Sequence, residues 1–168
     1  MPLTSRRMMP EEPNWQAVLD LILGAFAYMD GVVDPPSSAK RLTVEGLRQK
    51  AEQEHALVLF DGEIPVACIF CDPRADCLYV GKLAVSDEWR GMGLGKQLIG
   101  EAEALALQLG YSELELQSRV ELTANHRFFE ALGFVKTGET AHAGYDRPTS
   151  ITMRKQIRAI SILPIPSK

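Results

Sequence analysis

The stretch that most restricts how this chain can fold is Arg90-Gly91-Met92-Gly93-Leu94-Gly95-Lys96. Before it, Cys77 to Val85 has the apolar, turn-bounded pattern that predicts a strand. After it, Leu94, Leu98, Ile99, Ala102, Leu105, Ala106 and Leu109 recur at helical spacing as far as Gly110, a C-terminal stop. A strand that delivers a glycine-rich turn into a helix binds anions, because unpaired N–H groups at the helix start point outward and the helix dipole favours negative charge. Gly91, Gly93 and Gly95 let the backbone approach a ligand closely, and Arg90 and Lys96 add positive charge beside it.

That charge is local. The 168 residues carry 18 Lys and Arg against 22 Asp and Glu, so the overall balance does not favour nucleic acid as a partner. With 46% apolar residues, the length suits one domain whose core needs no disulfide or metal. Cys68, Cys71 and Cys77 are odd in number and lie in apolar, strand-like sequence, as reduced thiols of a cytoplasmic protein do. Cys68 and Cys71 have C-x-x-C spacing, but three positions apart on a strand they face opposite ways, which favours buried structural thiols over a metal site. No apolar run follows Arg6 and Arg7 before Pro10 and Pro13, which does not fit a secretory leader. No stretch approaches the ~20 apolar residues of a membrane span. The expectation is a cytoplasmic protein with no membrane and no nucleic-acid partner.

The rest of the chain reads as alternating helix and strand. Leu3 to Met8 is a short edge strand, and Trp15 to Met29 carries Trp15, Val18, Leu19, Ile22, Leu23 and Phe26 at helical spacing until Gly31, Pro35 and Pro36. A second helix starts at the capping residue Thr43 and runs toward Glu54. Ala56 to Phe60 and Ile64 to Cys71 flank Asp61-Gly62, a hairpin signal, and the turn Asp72 to Asp76 leads into Cys77 to Val85. Glu113 to Ser118 alternates as a strand, Asn125 to Leu132 is a short helix closed by Gly133, and Phe134 to Thr140 and Thr149 to Gln156 are the last two strands. The fold class is therefore α/β, a single domain with a mixed, mostly antiparallel central sheet flanked by helices.

Two other phosphate-binding turns fail at defining positions. G-x-x-x-x-G-K-[ST] finds Gly95-Lys96 but has Arg90 for its first glycine and Gln97 for its last residue, and G-x-G-x-x-G started at Gly91 meets Lys96 at its third glycine. What the chain resembles instead is the GNAT superfamily of N-acetyltransferases, whose central motif is [RQ]-x-x-G-x-[GA] at a strand-to-helix join; Arg90, Gly93 and Gly95 match it. Leu83-Ala84-Val85 is similar to the family's L-x-V strand end, and Phe128-Phe129-Glu130-Ala131-Leu132-Gly133-Phe134 to its later [FL]-Y-x-x-L-G-F segment. The resemblance spans roughly Ala56 to Lys155, and it implies a GNAT domain over residues 1–157 with a C-terminal apolar extension over 158–168.

The resemblance further implies acetyl-CoA as co-substrate and no metal. The amides of Met92 to Lys96, with Gly91 and Arg90 beside them, would hold the pyrophosphate, and the backbone of Leu83 and Val85 would pair with the pantetheine arm as an added strand. An amide near Leu83 or Ala84 would face the thioester carbonyl oxygen, and the strands Cys77–Val85 and Glu113–Ser118 would splay to admit the cofactor. The acceptor, a small-molecule or peptide amine, would attack the thioester directly. Phe129 stands where many members carry a tyrosine that is proposed to protonate the leaving thiolate, and it has no proton to give. Tyr145 and His142, in the loop between the last two strands, are the substitutes. Asn125, beside the aromatic pair Phe128 and Phe129, either contacts CoA, as a helix-start asparagine does in many members, or caps its helix. The predicted strand Cys77–Val85 holds no carboxylate to serve as base, and Glu88 beyond it reads as a solvated charge, so water is the expected proton route.

In this family the acceptor site is lined by the two N-terminal helices and their joining loop, here Tyr28 to Ser38; Asp30 and Asp34 would hold a cationic amine and Tyr28 would form an aromatic wall. Asp30-Gly31 and Asp34-Pro35 are equally turn formers. The loss of the tyrosine at Phe129 motivates a rival reading, a non-catalytic acyl-CoA-binding or regulatory module. Ile160, Ile162, Leu163 and Ile165 make an apolar tail that is expected to dock on its own domain or on a second copy, with a homodimer preferred.

Overall fold

The computed structural model describes residues 2–158. Within them run β1 (Thr4–Met8), α1 (Trp15–Phe26), α2 (Val44–Gln53), β2 (His55–Asp61), β3 (Ile64–Pro73) and β4 (Leu78–Val85), then α3 (Leu94–Gln108), β5 (Glu113–Arg119), α4 (Thr123–Ala131), β6 (Val135–Thr140) and β7 (Ser150–Gln156). The strands form one sheet in the order β1-β2-β3-β4-β5-β7-β6. Every neighbouring pair is antiparallel except β4 and β5. This is the mixed, mostly antiparallel α/β sheet that the apolar patterning predicts. The tail residues Ile160, Ile162, Leu163 and Ile165, and the homodimer expected from them, lie outside the described residues.

β3 explains why the sheet has a core on each side. Its residues alternate between two apolar clusters: Ala67, Ile69 and Cys71 join Leu98, Ile99 and Ala102 of α3, while Cys68 and Phe70 join Trp15, Val18 and Ile22 of α1 and Leu47 of α2. A strand buried on both faces reads as a continuous apolar run rather than an alternating one, which is what Ile64 to Cys71 does. Cys68 and Cys71 accordingly fall on opposite faces, as free thiols. The hairpin between β2 and β3 closes one residue later than the Asp61-Gly62 signal: Asp61 pairs with Ile64, leaving Gly62 and Glu63 as the two-residue loop.

Local chemistry sets the helix ends. Thr43 caps α2 by accepting a hydrogen bond from the Gly46 N–H at 3.0 Å, as predicted. The helix predicted from Trp15 to Met29 tightens into a 3₁₀ turn over Ala27–Met29. Leu23 and Leu109, which fit the helical spacing of α1 and α3, are 38% and 43% exposed. Leu109 is the C-cap beyond the last turn of α3, where burial is incomplete. α4 begins at Thr123 and not at Asn125, preceded by Leu122, which has no capping side chain. Thr123 and Asn125 are both residues that mark helix starts, and the helix begins at the earlier one.

Candidate functional site

β4 and β5 pair at just two positions, Leu78 with Leu114 and Tyr79 with Glu115. Beyond Tyr79 the strands part, at the place where the splay is expected, and a cavity of about 950 Å³ runs through the sheet between them. The residues of β4 from Val80 to Val85 all line it. Because β3 pairs with the far side of β4 as far as Val85, the backbone groups on the cavity side of β4 have no strand partner past Tyr79.

The glycine turn closes one end of this cavity. Gly91 and Gly93 have φ of 78° and 81°, the left-handed region that favours glycine, and Gly93 is the N-cap of α3 without a capping side chain. The first helical bond is from Gln97 N–H to the Gly93 carbonyl at 2.9 Å, so the N–H groups of Leu94, Gly95 and Lys96 have no helical acceptor. Gly91, Gly93, Leu94, Gly95 and Lys96 line the cavity, whereas the Met92 side chain is 63% exposed outside it. The Arg90 guanidinium lines the cavity but is already engaged: it donates to the Ala25 carbonyl at the end of α1 at 3.3 Å and pairs with Asp87 at 3.0 Å.

Facing the turn, α4 brings Phe128, Phe129 and Asn125 to the cavity wall. Phe128 packs edge-on against Phe129 with ring centroids 5.1 Å apart, and Phe129 against Phe134 at 5.6 Å. A methyl at Gly95 would lie 3.3 Å from Cζ of Phe128, so any side chain there would have to push the ring aside by a few tenths of an ångström. Asn125 does not cap its helix; its amide donates to the Tyr28 hydroxyl at 3.2 Å, joining α4 to the 3₁₀ turn that follows α1.

β4 contains a bulge: Cys68 pairs with Ala84 and Phe70 with Gly81, so Lys82 and Leu83 together oppose Ile69. Lys82 has φ of 53°, the one positive φ outside glycine among the described residues. A left-handed lysine stores roughly 1–3 kcal/mol of backbone strain, which persists where the surroundings enforce it. Here Nζ donates to the Ser38 hydroxyl at 3.1 Å, tying the bulge to the α1–α2 loop, and Lys82 lines the cavity. Burial, then the cations of Lys50, Arg41 and Arg119, hold its ammonium below the ordinary lysine value, with Glu54 opposing.

The α1–α2 loop is held from several sides. Arg119, at the end of β5, donates to the Pro35 carbonyl at 2.6 Å and the Pro36 carbonyl at 3.0 Å. Asp34 accepts from the Tyr145 hydroxyl at 2.6 Å and pairs with Arg147 at 3.1 Å, and Asp30 pairs with Lys40 at 3.1 Å. Asp30 and Asp34 therefore carry cations of the chain itself and line a separate recess of about 150 Å³; neither they nor Tyr145 line the large cavity. Tyr28 and His142 do. His142 Nδ1 bonds the Thr149 hydroxyl, and desolvation, then the Arg119 and Arg41 cations, hold the ring below the usual imidazole value.

Two features of the cavity were not read in the sequence. Lys82, Lys50 and Arg119, from β4, α2 and β5, line it together, a grouping made only by the tertiary fold. Ser118, 7% exposed and on the cavity wall, has a buried hydroxyl without a hydrogen-bond partner among the described residues. A buried hydroxyl left unpaired costs free energy unless a ligand or water meets it.

Comparison with known proteins agrees with this geometry. The profile of the acetyltransferase (GNAT) family matches residues 15–134. N-alpha-acetyltransferase 30 of Saccharomyces cerevisiae is 33% identical over 78 residues, 44% of this chain and 44% of that protein. N-acetyltransferase 8B of Homo sapiens is 37% identical over 93 residues, 54% of this chain and 39% of that protein. This chain thus matches about two fifths of the length of these curated relatives. Among solved structures, the PaiA N-acetyltransferase of Thermoplasma acidophilum in complex with coenzyme A superimposes with a TM-score of 0.77 at 16% identity, over 93% of this chain and 99% of that one.

Proposed function

The chain belongs to the acetyltransferase (GNAT) family, and on that premise we propose that it moves an acetyl group from acetyl-CoA to a primary amine by direct attack of the amine on the thioester. The observation that carries this reading is the pairing of an unpartnered β4 edge with an uncapped helix start at the two ends of one cavity. Acetyl-CoA suits both. Its pyrophosphate matches the outward N–H groups of Leu94, Gly95 and Lys96, with the Lys96 ammonium adding charge, and its amide-bearing pantetheine arm matches the strand edge at Leu83 to Val85.

In the chemical step, charge develops on the thioester oxygen as the amine nitrogen bonds to the carbonyl carbon. A backbone N–H at Leu83 or Ala84, beside the bulge, would meet that charge. The thiolate then leaves; it is a stable leaving group, so the missing hydroxyl at Phe129 does not stop the reaction. The amine arrives protonated, with a pKa of about 10, and must lose a proton. Among the described residues no carboxylate lines the cavity. His142 lines it and is held toward its neutral form, which supports a role in accepting that proton, directly or through water. The Tyr145 hydroxyl is committed to Asp34 and supports a positioning role.

The test is release of free CoA thiol from acetyl-CoA across a broad panel of amines, alongside melting with and without acetyl-CoA. Thiol release that depends on the amine, and that Gly93→Asp abolishes, is the expected result. A clear thermal shift with acetyl-CoA but silence across the panel favours the second reading, an acyl-CoA-binding module, which the acid-less Phe129 also fits.

A further inference from the structure

The cavity lining is unusual for a chain of net charge −4: Lys50, Lys82, Arg90, Lys96 and Arg119 all reach it, and no aspartate or glutamate among the described residues does. Arg90 and Lys96 flank the glycine turn. The other three gather away from it, toward the α1–α2 loop. Lys50 is satisfied by Glu54 at 2.9 Å, and Arg119 spends its fork on the Pro35 and Pro36 carbonyls. Lys82 differs. Its ammonium has three donors and meets one neutral acceptor, the Ser38 hydroxyl.

Lys82 is also where the backbone is forced. The bulge gives it a positive φ, and its side chain reaches Ser38 of the α1–α2 loop at the cavity wall. Resting on the acetyl-transfer reading above, we propose that the acceptor amine carries a carboxylate, received by the Lys82 ammonium at the α1–α2 side of the cavity. A monoanion fits better than a phosphate, because one ammonium with two spare donors is available while the Arg119 fork is occupied. A cationic acceptor such as a polyamine meets the opposite situation, since the carboxylates expected to hold it, Asp30 and Asp34, are paired and lie off the cavity.

The test reads binding and needs no turnover. The CoA-saturated protein is titrated by calorimetry with N-acetylglycine, N-acetyl-L-alanine and N-acetyl-L-glutamate, each compared with its carboxamide, and with N-acetylspermidine. The expected result is at least about tenfold tighter binding of a carboxylate than of its amide, a single charged contact being enough for that ratio. Lys82→Met should bring the ratio close to one while the Kd for CoA stays within about twofold, and Lys82→Gln should behave alike if the charge is what matters. Equal binding of both forms, absent binding of both, or preference for N-acetylspermidine overturns the proposal. So does an unchanged ratio in a folded Lys82→Met or Lys82→Gln. Should neither variant fold, a carboxylate-to-amide ratio in the native protein that does not fall with added salt overturns it. Acetyl transfer itself stands or falls separately, on amine-dependent thiol release.

Discussion

Tyr145 and Asp34, 111 positions apart, meet hydroxyl to carboxylate at 2.6 Å. The bond links the β6–β7 loop to the α1–α2 loop, and Arg147 reinforces it from the same side. Tyr145→Phe should raise the KM for the amine severalfold and leave the Kd for acetyl-CoA and the melting temperature nearly unchanged, measured by steady-state kinetics, calorimetry and thermal unfolding. A loss of acetyl-CoA affinity matching the loss in KM would show that Tyr145 belongs to the cofactor site.

Gly93→Ala asks an L side chain to adopt φ of 81° at the start of α3. The strain is about 1–2 kcal/mol, and a domain of this size loses roughly 2–4 °C of Tm per kcal/mol. The larger effect should be on CoA, because relaxing the strain tilts the outward N–H groups. Gly95→Leu, whose side chain starts 3.3 Å from Phe128, should block CoA more completely. Calorimetric titration with CoA is the measurement, and unchanged affinity in both variants would remove the glycine turn from the site.

The three thiols should be silent in the native protein. Burial pushes Cys68 and Cys71 up to about 12 and, helped by the nearby Glu115 charge, Cys77 up to about 11. Thiolate is the reactive form, so iodoacetamide at pH 8 should label none of them until denaturant is added, as mass spectrometry would report. Labelling of Cys68 or Cys71 in the folded protein would mean that β3 opens readily.

If His142 accepts the amine proton, the rate should fall on the acid side. Its pKa lies below the usual 6.5, so the neutral ring persists through pH 7 and activity drops only as pH falls below about 6.5 through that lowered value. His142→Gln should lower kcat and erase that limb from the kcat/KM profile. His55, held low by burial and by Arg7, acts on stability instead: the unfolded chain takes up the proton first, so stability present above pH 6.5 is lost as pH falls through that range. His55→Gln should flatten the pH dependence of the melting temperature without touching the rate profile.

The parts of this molecule governed by neighbouring residues could be read in advance. Thr43 capping Gly46, the glycine turn before Leu94 and the two-faced run of β3 each depend on spacing within one element. Lys82 could not be read, because its bulge arises from a register mismatch with β3. The same holds for Asp30 and Asp34: in sequence they are two carboxylates beside the expected acceptor site, and only the fold brings Lys40, Tyr145 and Arg147 to them. Charge counted along a chain says little about charge that has already been matched.

The two-residue contact between β4 and β5 has a consequence for handling the protein. A sheet parted in its middle exposes strand edges of the kind that recruit other chains into aggregates. A long ligand lying along β4 would shield that edge, much as an outer strand is guarded in other sheets. Concentrated or refolding samples without CoA should therefore scatter light and precipitate sooner than saturated ones, and the cofactor would serve in storage as a solubilising agent.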